Sequence, residues 1–311
     1  MTVLVTGANG FVGRAVCAEL ARRGTALRGA VRRNPQPGQV AVGDLGRDTN
    51  WTQALDGCTA VIHLAARVHV MSDSAPDPLA VYRQVNVEAT EGLARAAAAA
   101  GIRRFVFASS VKVNGEGTRG APFRADDAPA PVDGYGVSKL DAERCLARIA
   151  SETGLEVVSV RPCLVYGPGV KANFLNLIRL VQQGWPLPFG SVRNARSMVA
   201  LDNLVDLLIT CLDHPNAPGQ TFLVSDNEDL SIGDLVRHIA AALGQTPRLV
   251  PVPVGLMLVG AAMLGKRAVA ERLLGSLQVD IGSTLDVLNW RPVISPAAAI
   301  DRCVKAFLVQ H

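Results

Sequence analysis

The sequence predicts an α/β protein built on a doubly wound parallel sheet, followed by a smaller C-terminal α/β lobe. Three observations carry that expectation. Short apolar, β-branched runs of strand length recur through the first half of the chain, helical stretches separate them, and a glycine-rich turn joins the first run to the first helix. Strands that alternate with helices are joined by crossovers, which give parallel pairing with helices on both faces of the sheet.

The elements follow in order. "TVLVTG" (2–7) reads as the first strand. In "FVGRAVCAELARRG" (11–24), Val12, Val16 and Leu20 recur at helical spacing and Gly24 ends the pattern. Further strands are expected at "ALRGAV" (26–31), "AVIHLAA" (60–66), "FVFASS" (105–110) and "EVVSVRP" (156–162), with an alanine-rich helix at 86–101. Beyond about residue 168 helical stretches at 173–184 and 231–244 alternate with proline-rich connections and one strand candidate, 220–225. We therefore expect a nucleotide-binding domain over 1–168, with 199–225 returning to it, and a substrate lobe formed by 169–198 and 226–311.

Composition narrows the function classes. Of 311 residues, 49% are apolar and 19% charged, as in ordinary globular enzymes. The formal charge of +4 includes no Lys/Arg block, so nucleic acid is not an expected partner, while an anionic substrate suits it. Six scattered cysteines without a CxxC pair read as reduced thiols, and the five histidines lack ligand spacing, so no metal is expected. No basic, cleavable leader precedes the first strand, which points to a cytoplasmic protein. The most apolar run, 249–266, has two early prolines and is near the lower length limit for a span; it reads as a core or interface helix.

Gly7, Gly10 and Gly13 form GxxGxxG between the first strand and first helix. Glycines there allow a tight turn and close approach of backbone to a pyrophosphate, whose charge the helix N-terminus favours. The fold is thus expected to be Rossmann-type and to bind a dinucleotide. At the end of the second strand Val31 is followed by Arg32 and Arg33, with no carboxylate to accept a ribose 2′-hydroxyl. That arrangement favours NADP over NAD. Asp44 either meets the adenine edge or caps a helix.

"DGYGVSKLDAE" (133–143) sets Tyr135 and Lys139 four apart, one above the other on a helix. A phenol is a poor base at neutral pH, and a nearby ammonium stabilises its anion. Ser109 and Ser110 end the 105–110 strand, and "RPCLVYGPG" (161–169) closes the next, both at the edge where open parallel sheets bind ligands.

Taken together, TGxxGxxG (6–13), "GDL" (43–45), "HLAA" (63–66), Asn86, the serine pair, YxxxK and RPxxVYGP make the chain resemble the extended short-chain dehydrogenase/reductases, in their nucleotide-sugar epimerase/dehydratase branch. The resemblance covers nearly the whole chain. It implies a catalytic Ser110–Tyr135–Lys139 set, in which Tyr135 exchanges the proton of a sugar hydroxyl, Ser110 hydrogen-bonds the same oxygen and Lys139 holds the nicotinamide ribose. The implied cofactor contacts run through Gly7, Asn9, Gly10, Phe11, Val12 and Gly13, Arg32, Asp44 and Leu45, then Leu64, Ala65 and Ala66, then Asn86, Ser109, Tyr135, Lys139 and Pro162.

Three reactions share that scaffold. Similar dehydratases carry an Asp-Glu pair after the triad residue, where this chain has Val111-Lys112, and Asp126 and Asp127 read as loop decoration; dehydration is therefore disfavoured. Epimerisation at C4 and reduction of a 4-keto sugar remain open, with a lean to the epimerase. For substrate the resemblance implies contacts from Ser110, Lys112, Tyr135, Asn173, Arg196 and Arg272, with "LPFG" (187–190) near a uracil. The implied substrate is a UDP-hexose or UDP-N-acetylhexosamine for surface polysaccharide. Where relatives often have "VYG", Val113-Asn114-Gly115 lacks the aromatic, which leaves the sugar open. Relatives also dimerise, here through helices 86–100 and 135–150. A non-catalytic NADP-binding scaffold is the rival of another class; retention of both Tyr135 and Lys139 argues against it.

Overall fold

The computed structural model describes residues 1–68 and 77–310. Its main sheet has seven strands, all parallel: β1 (Thr2–Thr6), β2 (Ala26–Val31), β3 (Gln39–Ala41), β4 (Ala60–His63), β5 (Arg104–Ala108), β6 (Glu156–Pro162) and, after an excursion, Thr221–Val224. The two short strands of that excursion are β7 (Leu164–Tyr166) and β8 (Met198–Ala200), parallel to each other, which makes Thr221–Val224 β9. The spatial order is β3-β2-β1-β4-β5-β6-β9. Its direction reverses between β1 and β4, and such a switch point opens a crevice beyond the carboxyl ends of the strands.

Alternation along the strands builds two core layers. Val3 and Val5 face one layer and Leu4 the other; Ala60 and Ile62 oppose Val61, and Val106 opposes Phe105 and Phe107. A third cluster lies in the later part of the chain, where Tyr166, Phe174, Ile178, Ile239, Ile300 and Val304 pack together. β9, within the stretch expected to return, pairs with β6.

Strand β3 has no counterpart in the sequence reading. It is three residues long and follows Gly38 at φ 80°, too short for alternation to show. The helix expected at 86–101 begins as a π turn, Gln84–Glu88, and continues as Ala89–Ala99. The helix bearing Tyr135 spans Gly134–Thr153, started by the Asp133 carboxylate accepting from Gly136 N at 2.7 Å and stopped by Gly154 in the left-handed region. The apolar run 249–266 holds the helix Val254–Met263, in which no residue is buried. That departs from a core position: only Val254, Met257 and Leu258 pack, partly, on the third cluster. Among the described residues no helix is long and apolar enough to cross a membrane.

Candidate active site

The turn after β1 is a close-packed cradle. Gly7 has φ 66°, and a Cβ on Gly13 would stand 2.1 Å from the Gly7 carbonyl oxygen, so the helix Phe11–Arg22 starts against the turn itself. A Cβ on Gly7 would stand 3.0 Å from Ala65 N, which places Leu64 and Ala65 beside the cradle, with Ala66 next in the chain. No side chain caps the helix at Gly10, so its first N–H groups remain for an anion. Phe11 and Val12 anchor the helix on the main core. Asn9 accepts from Gln39 Nε2 at 3.0 Å, tying the turn to β3.

At the end of β2, Arg33 Nη2 donates to Asp44 Oδ2 at 3.0 Å and Arg32 Nε lies 3.6 Å from Asp44 Oδ1, all well exposed. A carboxylate therefore stands between the two arginines, supplied from a later loop. Leu45 beside it packs on the core.

A buried chain of hydrogen bonds ties the cradle to β4. Thr90 Oγ1 donates to Asn86 O at 2.8 Å, so its oxygen accepts from His63 Nε2 at 2.9 Å. His63 Nδ1 then accepts from Thr6 Oγ1 at 2.7 Å, and Thr6 in turn accepts from Leu64 N and Ala65 N at 3.1 Å each. This assigns a neutral histidine with its proton on Nε2. Burial, followed by the Lys139 charge, lowers the His63 pKa to about 3. In the sequence His63 and Thr6 stand out only as members of the HLAA and TGxxGxxG motifs, and nothing local marks Thr90.

The catalytic candidates converge at the carboxyl end of β5. Ser110 follows the strand and starts a short 3₁₀ turn, Val111–Val113, by accepting from Lys112 N at 3.2 Å. Tyr135 opens its helix and meets the Tyr82 ring edge-on at 6.2 Å between centroids. Burial raises its pKa to about 12, opposed by the Ser110 hydroxyl, while Asp133 and Tyr82 add to the rise. One turn on, Lys139 is 3% exposed, donates to Ala108 O at 2.7 Å, and sits 4.4 Å from the centre of the Phe107 ring. Burial lowers its pKa to about 7, and Glu143 acts against that fall. The Ser109 hydroxyl beside them is buried with no partner among the described residues.

Other expected residues have commitments of their own. Asn86 is 1% exposed and spends its amide on Arg67 O at 3.0 Å and Ser138 Oγ at 2.9 Å, while its oxygen accepts from Arg67 N at 2.8 Å. It ties the segment after β4 to the helix that carries Tyr135 and Lys139. Lys112 is held between Glu116 and Asp133, the latter at 2.8 Å. Its ammonium thereby offsets a carboxylate next to Tyr135. Pro162 ends β6 against Val224. Arg196 donates to the carbonyls of Arg272 and Gly275, which brings those two arginines into one neighbourhood. Asn173 is exposed in the first turn of Ala172–Gln182.

Arg161 and Glu143 were not singled out from sequence. Arg161 donates to both Glu143 oxygens, at 2.9 and 2.7 Å, and to Asn114 Oδ1 at 3.0 Å and Ala125 O at 3.3 Å. The pair is buried, 6% and 9% exposed, and locks the catalytic helix to β6 and to the loop after Ser110. Glu143 is eight residues beyond Tyr135 and four beyond Lys139, so helical spacing does put it on their face.

Uncapped N–H groups, a cradle too tight for any Cβ, and, at the end of β5, a buried serine hydroxyl without a partner among the described residues fit the phosphates and nicotinamide end of a dinucleotide. With Ser110, Tyr135 and Lys139 beside them, they define a pyridine-nucleotide-dependent enzyme of the extended short-chain dehydrogenase/reductase type. Residues 3–227 match the family described as NAD dependent epimerase/dehydratase family. The chain is 45% identical, over 99% of its length and 95% of the relative's, to a UDP-glucose 4-epimerase of Vibrio cholerae. It is 27% identical, over 97% of its length and 90% of the relative's, to a 3-beta-hydroxysteroid dehydrogenase of Mycolicibacterium neoaurum. Among solved structures it resembles MoeE5 in complex with UDP-glucuronic acid and NAD, with TM-score 0.79, 26% identity and 100% of both chains covered. This chain belongs to the NAD dependent epimerase/dehydratase family.

Proposed function

We propose that the protein inverts C4 of a UDP-hexose or UDP-N-acetylhexosamine with NAD as a resident cofactor. The observation that supports this reading is the group of buried Ser110, half-buried Tyr135 and buried Lys139, in a chain 45% identical to a UDP-glucose 4-epimerase. When bound, the nicotinamide supplies the hydride acceptor and donor. Tyr135 takes the proton of the sugar 4-hydroxyl and returns it to the same oxygen after the ring has turned, and Ser110 holds that oxygen in line. Tyr135 is the phenolate before it takes that proton and again after it returns it, and the Lys139 ammonium offsets its charge in that form. Gly7, Gly10 and Gly13 hold the pyrophosphate, and Arg196 with Arg272 meets the diphosphate of the sugar nucleotide.

The Asp44 carboxylate bears on the cofactor. Arg32 and Arg33 alone favour a 2′-phosphate, but Asp44 takes up their charge and repels one. A second reading, reduction of a UDP-4-keto-6-deoxy-hexosamine, rests on the same arginine pair turned to NADPH. Denaturing the purified protein and chromatographing what it releases separates the two. Near-stoichiometric NAD, with interconversion of UDP-glucose and UDP-galactose or of their N-acetylhexosamine counterparts, supports the epimerase. An empty protein that oxidises NADPH only with a 4-keto sugar overturns it.

A further inference from the structure

The helix Val254–Met263 is apolar on every side, for no polar side chain occurs from residue 249 through 265. One face packs on the third core cluster through Val254, Met257 and Leu258. At about 100° per residue, Leu256, Val259 and Met263 fall within an arc of about 60° on the other side. They are 64%, 59% and 84% exposed, and Leu264, which ends the helix, is 76% exposed. The next helix, Arg267–Leu274, packs alongside and adds Val269 and Leu273 at 45% and 38%. Trp185, 64% exposed, lies two residues before Leu187, which pairs with Leu249 at the approach to this helix pair. A surface helix ordinarily turns a polar face to water, and clustered apolar side chains left in water mark an interaction surface.

Charge selects the partner. Between residues 248 and 274 the exposed charges outside the proposed substrate site are Arg248, Lys266 and Arg267 against Glu271 alone, which pairs with Arg267 at 2.8 Å. A two-fold contact of this face with a second copy would set these cations against their own counterparts. An anionic surface would compensate them. Ten helical residues cover about 15 Å, half the hydrocarbon thickness, so the helix can lie on a bilayer but not span it.

We propose that this face docks the protein onto an anionic lipid bilayer. The helix Val254–Met263 lies in the interfacial plane, Leu256, Val259 and Met263 enter the acyl boundary, and Lys266 and Arg267 meet the headgroups. The proposal does not depend on the reaction catalysed.

Co-sedimentation of the full chain with phosphatidylcholine vesicles, with and without phosphatidylglycerol, tests it. The protein is expected to sediment with the anionic vesicles, at least about fivefold less with neutral ones, and to be released as salt rises. The exposed-face variant Leu256→Glu/Val259→Glu/Met263→Glu is expected to lose binding, with its circular dichroism and turnover unchanged. Lys266→Glu/Arg267→Glu is expected to bind anionic vesicles at least about tenfold more weakly. Wild-type protein that stays in the supernatant with both vesicles overturns the proposal, as does a triple variant that still sediments. A triple variant that merely converts a wild-type oligomer into monomer in lipid-free buffer, where the wild type ignores vesicles, assigns the face to a second copy and also overturns it.

Discussion

The ammonium of Lys139 is enclosed by protein, against the Phe107 ring and the Ala108 carbonyl, and burial lowers its pKa from 10.5 to about 7. Between those values an unfolded chain carries a proton there that the folded chain lacks. Stability contributed by this group therefore rises with pH from about 7 to about 10, and its cost is full below that window. Lys139→Met removes the cost. It should unfold in urea at about 4 kcal/mol higher free energy than wild type at neutral pH, with the gap closing towards pH 10. A gap that stays constant across the window would show Lys139 titrating as an ordinary surface lysine. Turnover should be lost in the same variant, since Tyr135 would face no cation. Tyr135→Phe is the complementary test: kcat should fall by about 10²–10⁴-fold while NAD affinity, followed by fluorescence titration, changes little. Retained turnover would remove Tyr135 from the proton path. The tyrosine and lysine were legible because helical spacing is local information. The partners that set their properties were not: Phe107 and Ala108 lie on another strand, and the cost at Lys139 comes from burial, which no spacing reports.

At the scale of elements, the helix Gly134–Thr153, which carries Tyr135 and Lys139, is held by a buried ion pair whose members are 18 residues apart, Arg161 on β6 and Glu143. Removing one member leaves a charge buried without compensation, whereas removing both does not. Arg161→Met should cost about 3–5 kcal/mol, and Arg161→Met/Glu143→Leu should regain most of it; a double variant as unstable as the sum of its parts would reduce the pair to packing. Gly13→Ala is harsher, because its Cβ would overlap the Gly7 carbonyl at 2.1 Å. We expect loss of NAD binding before loss of the sheet, measured by comparing titration with circular dichroism. Strands β1, β2, β4, β5, β6 and β9 of the main sheet were readable because each is a short, largely apolar run. Strand β3 was not, through brevity, whereas the helix Leu201–Asp213 went unread although Asp202, Asp206, Thr210 and Asp213 mark one face at helical spacing. The structural ties of Asn86 were not legible for a related reason. Its site in a π turn and its bonds to Arg67 and Ser138 are tertiary facts.

Across the whole molecule, the helices expected to meet a second copy already pack on each other within one chain and lace their outer faces with charge. Arg95 pairs with Glu91 and Glu152, Arg148 with the same two carboxylates, and Arg83 with Asp141. A dimer closed there is consequently polar. Its pairs lose strength as salt screens them, unlike a contact made of core side chains. Sedimentation equilibrium should find a species of twice 32.7 kDa at low ionic strength and a weaker association in molar salt. Glu91→Arg would leave Arg95 and Arg148 facing a third cation, so it should shift the equilibrium to monomer with turnover reduced only through any loosening of the neighbouring catalytic helix. A wild-type chain that sediments at 32.7 kDa at every concentration would confine these ion pairs to one subunit, where they brace the helix that carries Tyr135.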